Sequence, residues 1–176
     1  GAGGHSGVTR VTVVKTQALR AYGPRVIEVT GITRTVSAQG ADHTTGNLPA
    51  YECKGKTTEE LAALSLEVQI NSAAADSLGI CIFGRTITNT QHPMIIDALN
   101  NAHGTDLDAD FINTLGRETL LMEIEFNEQA GFTEEDDKLP QFFWDEELPP
   151  TGKKARHPGA EINKFQRAML AEGVVV

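Results

Sequence analysis

The chain has 176 residues, enough for one domain with a substantial core, and its 40% hydrophobic content is ordinary for a globular protein. A formal net charge of -9 repels phosphate backbones and anionic lipid surfaces, which argues against nucleic acid or a membrane as partner. The two cysteines lack CxxC spacing, and the chain has neither a signal-peptide pattern nor an apolar run of membrane-spanning length, so we expect a cytoplasmic protein.

The first third of the chain shows little periodicity. Apolar and polar residues alternate from Val8 to Val14, which predicts a short edge strand that needs another segment to pair with. From Thr16 to Asn47 no period is sustained, and long segments of this kind are either functional or disordered. The recurring apolar residues favour a functional segment.

The first clear helix signal lies in the middle of the chain. Thr57 and Glu60 have the spacing of a capping box, in which each side chain satisfies a backbone N–H of the first turn. An apolar face follows at Leu61, Leu64 and Val68, which predicts a helix that ends near Gly79.

Three further helices are predicted. The first has Pro93 near its start and ends around Gly104. Thr105 and Asp108 resemble a second capping signal, which predicts a long amphipathic helix from there to a point before Gly131. Pro158 precedes the last helix. The predicted fold class is therefore mainly α, with an irregular N-terminal segment and a short edge strand, followed by a bundle of amphipathic helices.

The turn from Asp76 to Cys81 carries three chemical groups in one short stretch. Asp76 supplies an acceptor, Gly79 leaves backbone N–H groups unobstructed, and Cys81 is a soft sulfur ligand. Such a turn suits a polar cofactor lying against a metal–sulfur centre. By itself, however, the residue pattern favours a structural interpretation, because glycine turns commonly end helices and lone cysteines are commonly small core residues.

Asp42 and His43 form a titratable pair between glycines in the irregular segment. Histidine is suited to proton transfer near neutral pH, and glycines let the backbone approach a ligand. The alternative is a loop histidine that hydrogen-bonds the backbone, and residue type alone favours that alternative. The histidines have no metal-ligand spacing such as HxxxH, which argues against a zinc site.

Several segments, in order, resemble the C-terminal part of the aldehyde ferredoxin oxidoreductase family of tungsten-pterin enzymes. The similar segments are Ala21 to Arg25, Gly40 to His43, Asp76 to Cys81, Glu125 to Asn127 with Gly131 to Thr133, and Asp136 to Pro140. The resemblance runs from about Val8 to Pro150.

The resemblance implies an enzyme that oxidises an aldehyde to a carboxylic acid and passes electrons to ferredoxin. It implies a tungsten (or molybdenum) bis-pyranopterin and a four-iron four-sulfur cluster as cofactors. Asp76 would accept hydrogen bonds from one pterin, the backbone around Gly79 and Ile80 would contact it, and Cys81 would bind cluster iron. Ile80 stands where the family usually has leucine, which changes only the branching of the side chain.

The resemblance also assigns roles to the titratable pair. His43 is similar to the family's histidine beside the tungsten, where it would transfer a proton or hold the aldehyde oxygen. Asp42 would orient that histidine or shape the substrate channel.

The 176 residues lack the other three cluster cysteines, the first pterin motif and the β-rich N-terminal domain of the family. We therefore expect an isolated domain or split subunit that binds no cofactor and is inactive alone, with the remaining N-terminal domains as partners. It divides into an arm or strand (1–15), a helical cofactor-wall domain (16–150) and a C-terminal helix (151–176). Two alternatives stay open: a non-catalytic helical interaction module, and a relative that acts on another carbonyl substrate.

Overall fold

The computed structural model describes residues 11–20 and 22–173. It is 56% helical, and the described residues form seven α-helices and one two-stranded hairpin, which confirms the mainly α class. The strands are β1 (Val13–Val14) and β2 (Gln17–Ala18), and the helices are α1 (Glu28–Val36), α2 (Thr58–Ser77), α3 (Arg85–Thr90), α4 (His92–His103), α5 (Phe111–Gln129), α6 (Phe142–Asp145) and α7 (Gly159–Glu172).

The N-terminal strand pairs within its own chain. β1 lies antiparallel to β2, with Val13 opposite Ala18. The intervening Lys15 and Thr16 have φ angles of 46° and 66°, the left-handed backbone that two-residue hairpins favour because it matches the twist of the strands. The residues from Val8 to Arg10 of the predicted strand lie outside the described part of the chain.

Helix α1 lies inside the segment that the sequence predicted to be irregular. All nine of its residues are buried, so its polar side is covered by other parts of the protein and not by solvent. Its threonine hydroxyls are satisfied locally: Thr35 donates to the Gly31 carbonyl oxygen, and Thr33 shares a 2.7 Å hydrogen bond with Ser65. These internal hydrogen bonds allow a polar, β-branched helix to be buried.

Helix α2 is the centre of the bundle and packs against α1, α5 and α7. The predicted capping box is confirmed, because Thr57 accepts from the Glu60 N–H and the Glu60 side chain accepts from the Thr57 N–H. The crossing with α5 is close: a Cβ at Gly116 would lie 2.1 Å from the carbonyl oxygen of Ile70. Only glycine fits at that crossing.

The predicted start of the long helix was wrong. Helix α5 begins at Phe111, because Thr105 donates its hydroxyl to the Asn100 side chain instead of capping a helix. The same Asn100 oxygen accepts from the N–H of Leu107, which fixes the connection after α4. The other ends follow the prediction: Gly104 ends α4 with left-handed backbone, and Pro158 precedes α7.

Among the described residues, none of the helices combines the length and the apolar character needed to cross a membrane.

Candidate functional site

The turn from Asp76 to Cys81 ends helix α2. The N–H of Gly79 donates to the Asp76 carbonyl oxygen at 3.0 Å, and the N–H of Ile80 donates to the Ala75 carbonyl oxygen at 2.9 Å. Gly79 has a φ of 70°. These are the two hydrogen bonds of a Schellman motif, so the glycine terminates the helix as the structural interpretation expected.

The same turn also presents its functional groups to the outside. Asp76, Gly79 and Cys81 are all exposed, and a Cβ built on Gly79 would have no atom within 4 Å. No described group donates a hydrogen bond to the Asp76 carboxylate, and the Cys81 thiol is free. The turn therefore combines a helix cap with an open carboxylate, an open backbone and an open thiol.

Asp42 holds the loop that follows helix α1. Its Oδ1 accepts from both the N–H and the hydroxyl of Thr44 at 2.6 Å, and its Oδ2 accepts from Gln17 of β2 at 3.3 Å. Burial alone would raise the pKa of Asp42, but the hydrogen bonds from Thr44 and Gln17 outweigh it and lower that pKa. Asp42 is an ionised carboxylate that fixes the loop to the hairpin.

His43 lies against an aromatic ring. Its imidazole stacks on Tyr22 with ring centroids 5.6 Å apart and planes 8° from parallel. The guanidinium of Arg34 lies 5.8 Å from the centroid of the same Tyr22 ring. The His43 Nδ1 is buried without a hydrogen-bond partner among the described residues. Leaving a buried ring nitrogen unpaired costs free energy, so a hydrogen-bonding group brought to this side of the ring would stabilise it.

The fold brings Asp42 close to Asp76. Asp76 is exposed, but the protein surface around it removes part of its solvent, and this partial burial and the negative charge of Asp42 both raise the pKa of Asp76. Glu123 of α5 belongs to the same cluster, since burial and then Asp76 raise its pKa while Gln39 donates to its Oε1 at 3.2 Å. We call these three carboxylates, Asp42, Asp76 and Glu123, the acidic cluster.

The sequence analysis did not identify Glu123, Gln39 or Arg34. The available signal was that Glu123 precedes Ile124, a residue of the apolar face of α5, and so sits at the edge of that face. That signal is weak, because many helices carry acidic residues at this position.

Cys81 shares its turn with Asp76, but it forms no hydrogen bond with Asp42 or His43 among the described residues. Within residues 11–20 and 22–173, no group of three histidine, cysteine or acidic side chains is placed to hold a metal ion. His157 is buried and its Nδ1 shares a 3.0 Å hydrogen bond with Thr58, which indicates a structural role.

A family model for aldehyde ferredoxin oxidoreductase, domains 2 and 3, matches residues 4–172. No curated protein matches the chain. The match covers nearly the whole chain and includes the turn, the loop and helix α5 that form the geometry above. The chain therefore belongs to the aldehyde ferredoxin oxidoreductase family, in the region of its domains 2 and 3.

Proposed function

We propose that this chain forms one wall of the cofactor site in an oxidoreductase that converts an aldehyde to a carboxylic acid and passes the electrons to ferredoxin. The observation that carries the proposal is the exposed turn from Asp76 to Cys81, which lies beside the loop of Asp42 and His43. Family membership supports the reaction class. A related enzyme that acts on another carbonyl substrate would use the same wall of the cofactor site.

The residues of the turn fit a pterin and an iron–sulfur cluster. Asp76 offers a carboxylate that receives no hydrogen bond from the described residues, Gly79 offers backbone with no atom packed over it among them, and Cys81 offers an exposed sulfur. In this proposal Asp76 accepts pterin N–H groups, the backbone of Gly79 and Ile80 contacts the pterin, and the Cys81 thiolate binds one iron. When bound, the tungsten or molybdenum bis-pyranopterin supplies the oxidation and the cluster carries the electrons away.

The loop residues take different roles. In this proposal the His43 imidazole holds or releases a proton beside the substrate, and its Nδ1 has no hydrogen-bond partner among the described residues. Stacking on Tyr22 fixes the plane of the imidazole ring. The carboxylate oxygens of Asp42 accept hydrogen bonds from Thr44 and Gln17, which supports a role in shaping the loop rather than in orienting the histidine.

A partner domain is needed to complete the site, because one thiolate cannot hold a four-iron cluster. Apolar side chains next to the turn support such a partner: Phe83 is 95% exposed, and Ile87 and Met94 are also exposed. On α5, exposed Met122 and Phe126 border a depression of about 430 Å³ together with Glu123. Large apolar side chains that are exposed close together on a surface are typical of protein interaction sites.

The partner in this proposal is the cofactor-bearing N-terminal part of the enzyme. The chain alone would then bind no cofactor and would be inactive. The two cysteines, both free thiols, support a reducing compartment such as the cytoplasm.

The test is metal and acid-labile sulfide analysis on two samples, the 176-residue chain and the full product of its gene, both made without oxygen and with tungstate. We expect tungsten and about four irons in the full product only. Cys81→Ala should remove the iron, whereas Cys53→Ala, at a buried thiol outside the turn, should retain it. If neither sample holds metal under conditions that load a known family member, the chain is instead a helical interaction module.

A further inference from the structure

A cavity of about 330 Å³ lies among the helices of the bundle. None of the predicted site residues, Asp42, His43, Asp76 or Cys81, lines it. It is enclosed by α2, α5, α7 and the hairpin, and its volume is within the range of about 300 to 1,000 Å³ that small-molecule pockets occupy.

One wall of the cavity is aliphatic. Leu66, Leu120, Ile124 and Leu170 supply it, and the three leucines are buried where α2, α5 and α7 meet. Aliphatic side chains form no hydrogen bonds, so this wall contributes to the free energy of binding only by burying the apolar part of a ligand.

Two polar side chains of the cavity can accept further hydrogen bonds. Gln69 is 4% exposed and donates to Ser65, but its side-chain oxygen receives no hydrogen bond from the residues that the structure describes. Asn163 is 6% exposed and donates to Asp137, and its side-chain oxygen likewise lacks a donor within the described part of the chain. Neither oxygen is among the fully buried atoms without a partner, so both are reached by water in the cavity, and a ligand that donates a hydrogen bond can replace that water.

The charged groups around the cavity compensate one another. Lys15 forms an ion pair with Asp137, and Arg167 forms ion pairs with Glu128 and Glu134 at 3.0 and 3.3 Å. Three carboxylates against two cations leave a small negative excess. A carboxylate ligand is therefore repelled, and a cation finds no carboxylate without a partner among these five residues.

We propose that this cavity binds a small uncharged amphiphile, with its aliphatic body against Leu66, Leu120 and Ile124 and a hydroxyl or carboxamide head that donates to Gln69 or Asn163. The Lys15 ammonium, which uses one of its three N–H donors on Asp137, supplies a donor to the oxygen of that head. The site is separate from the proposed cofactor wall and does not depend on it.

The probes are 1-hexanol and hexanamide, compared with hexanoate and hexylammonium, and binding to the 176-residue chain is measured by calorimetry and ligand-observed NMR. The two neutral probes should bind with a Kd of about 1 mM or tighter, because they are small and bury most of their surface. Hexanoate and hexylammonium should bind at least about tenfold more weakly. The proposal fails if either ion binds as tightly as the neutral probes, or if neither neutral probe binds at about 10 mM.

The location is tested with two substitutions on α5. Ile124→Trp fills the cavity and should weaken binding of 1-hexanol by about tenfold or more. Leu121→Trp adds the same ring at an exposed position outside the cavity and should leave the Kd within about twofold. Equal losses in both variants would place the ligand elsewhere and overturn the proposal. If Ile124→Trp does not fold, as judged by circular dichroism, the comparison of neutral and charged probes on the unmodified chain still decides it.

Discussion

Burial and the nearby carboxylate of Asp42 together raise the pKa of Asp76, although the two residues belong to different elements of the fold. Asp42 lies in the loop after α1, and Asp76 lies at the end of α2. Glu123 extends the same negative surface. Like charges brought together in this way favour a ligand that donates hydrogen bonds, because donors relieve the repulsion.

Removing one charge from the acidic cluster should stabilise the fold near neutral pH. Glu123→Gln keeps an oxygen that can accept from Gln39 and removes the repulsion from Asp76. Because Glu123 is only partly buried and solvent screens its charge, we expect a gain of about 0.5 kcal/mol in the free energy of unfolding. Urea denaturation measures it.

The gain should depend on pH with a defined sign. A raised pKa in the folded state means that the wild-type chain loses stability as pH rises through that value and regains it as pH falls. The difference between variant and wild type should therefore disappear below the ordinary glutamate value of 4.5. Glu118→Gln, at an exposed position of the same helix, is the control and should show no such gain. If the variant remained more stable than the wild type at acidic pH, the gain would not come from the removal of charge repulsion at Glu123.

The pKa of Asp42 leads to the opposite pH dependence. Hydrogen bonds from Thr44 and Gln17 lower that pKa against the effect of burial, so the stabilising contribution of Asp42 is complete above the ordinary value of 3.8. It should be lost as pH falls through the lower folded-state value. Carboxyl-detected NMR titration should find Asp42 below 3.8 and Asp76 above 3.8. The reverse order would show that the loop is not fixed in this way.

The crossing of α2 and α5 depends on the absence of a side chain at Gly116. Gly116→Ala places a Cβ 2.1 Å from the Ile70 carbonyl oxygen, so the helices must separate. We expect a loss of about 3 kcal/mol in the free energy of unfolding, measured by denaturation. Gly23→Ala is the matched control, because a Cβ there meets nothing within 4 Å, and it should change stability by less than about 0.5 kcal/mol.

The start of α2 depends on Thr57. Thr57→Ala removes the acceptor for the Glu60 N–H at 3.1 Å and should cost about 1 kcal/mol, as measured by thermal or urea denaturation. Thr114→Ala makes the same chemical change at an exposed position inside α5 and should be neutral or slightly stabilising, since alanine is the better helix former. Equal costs for the two substitutions would show that the loss at Thr57 is not a capping effect.

The two thiols should differ in reactivity. Cys81 is exposed, whereas Cys53 is 4% exposed and belongs to the apolar core that contains Ile32 of α1 and Leu61 of α2. A thiol reagent should modify Cys81 at once and Cys53 at least about a hundredfold more slowly, because Cys53 becomes accessible only when the chain opens. Cys81→Ala should abolish the fast phase. Two thiols that react at the same rate would contradict the burial of Cys53.

Local signals explain which elements could be predicted. The capping box at Thr57 and the left-handed backbone at Gly104 depend only on residues a few positions apart, so both could be predicted from the sequence. Helix α1 was missed because all of its residues are buried and its threonines bond within the core. The start of α5 was misplaced because Asn100, from the preceding helix, takes the hydroxyl of Thr105.

The sequence by itself determined the resemblance, the turn from Asp76 to Cys81 and the chemistry that its groups can offer. Only the tertiary structure decided that Asp42, Asp76 and Glu123 form one cluster and that the Nδ1 of His43 is buried. The reason is that charge repulsion and burial depend on distances between elements far apart in the chain. Those distances are set by the packing of α1 and α5 on α2, which no local pattern encodes.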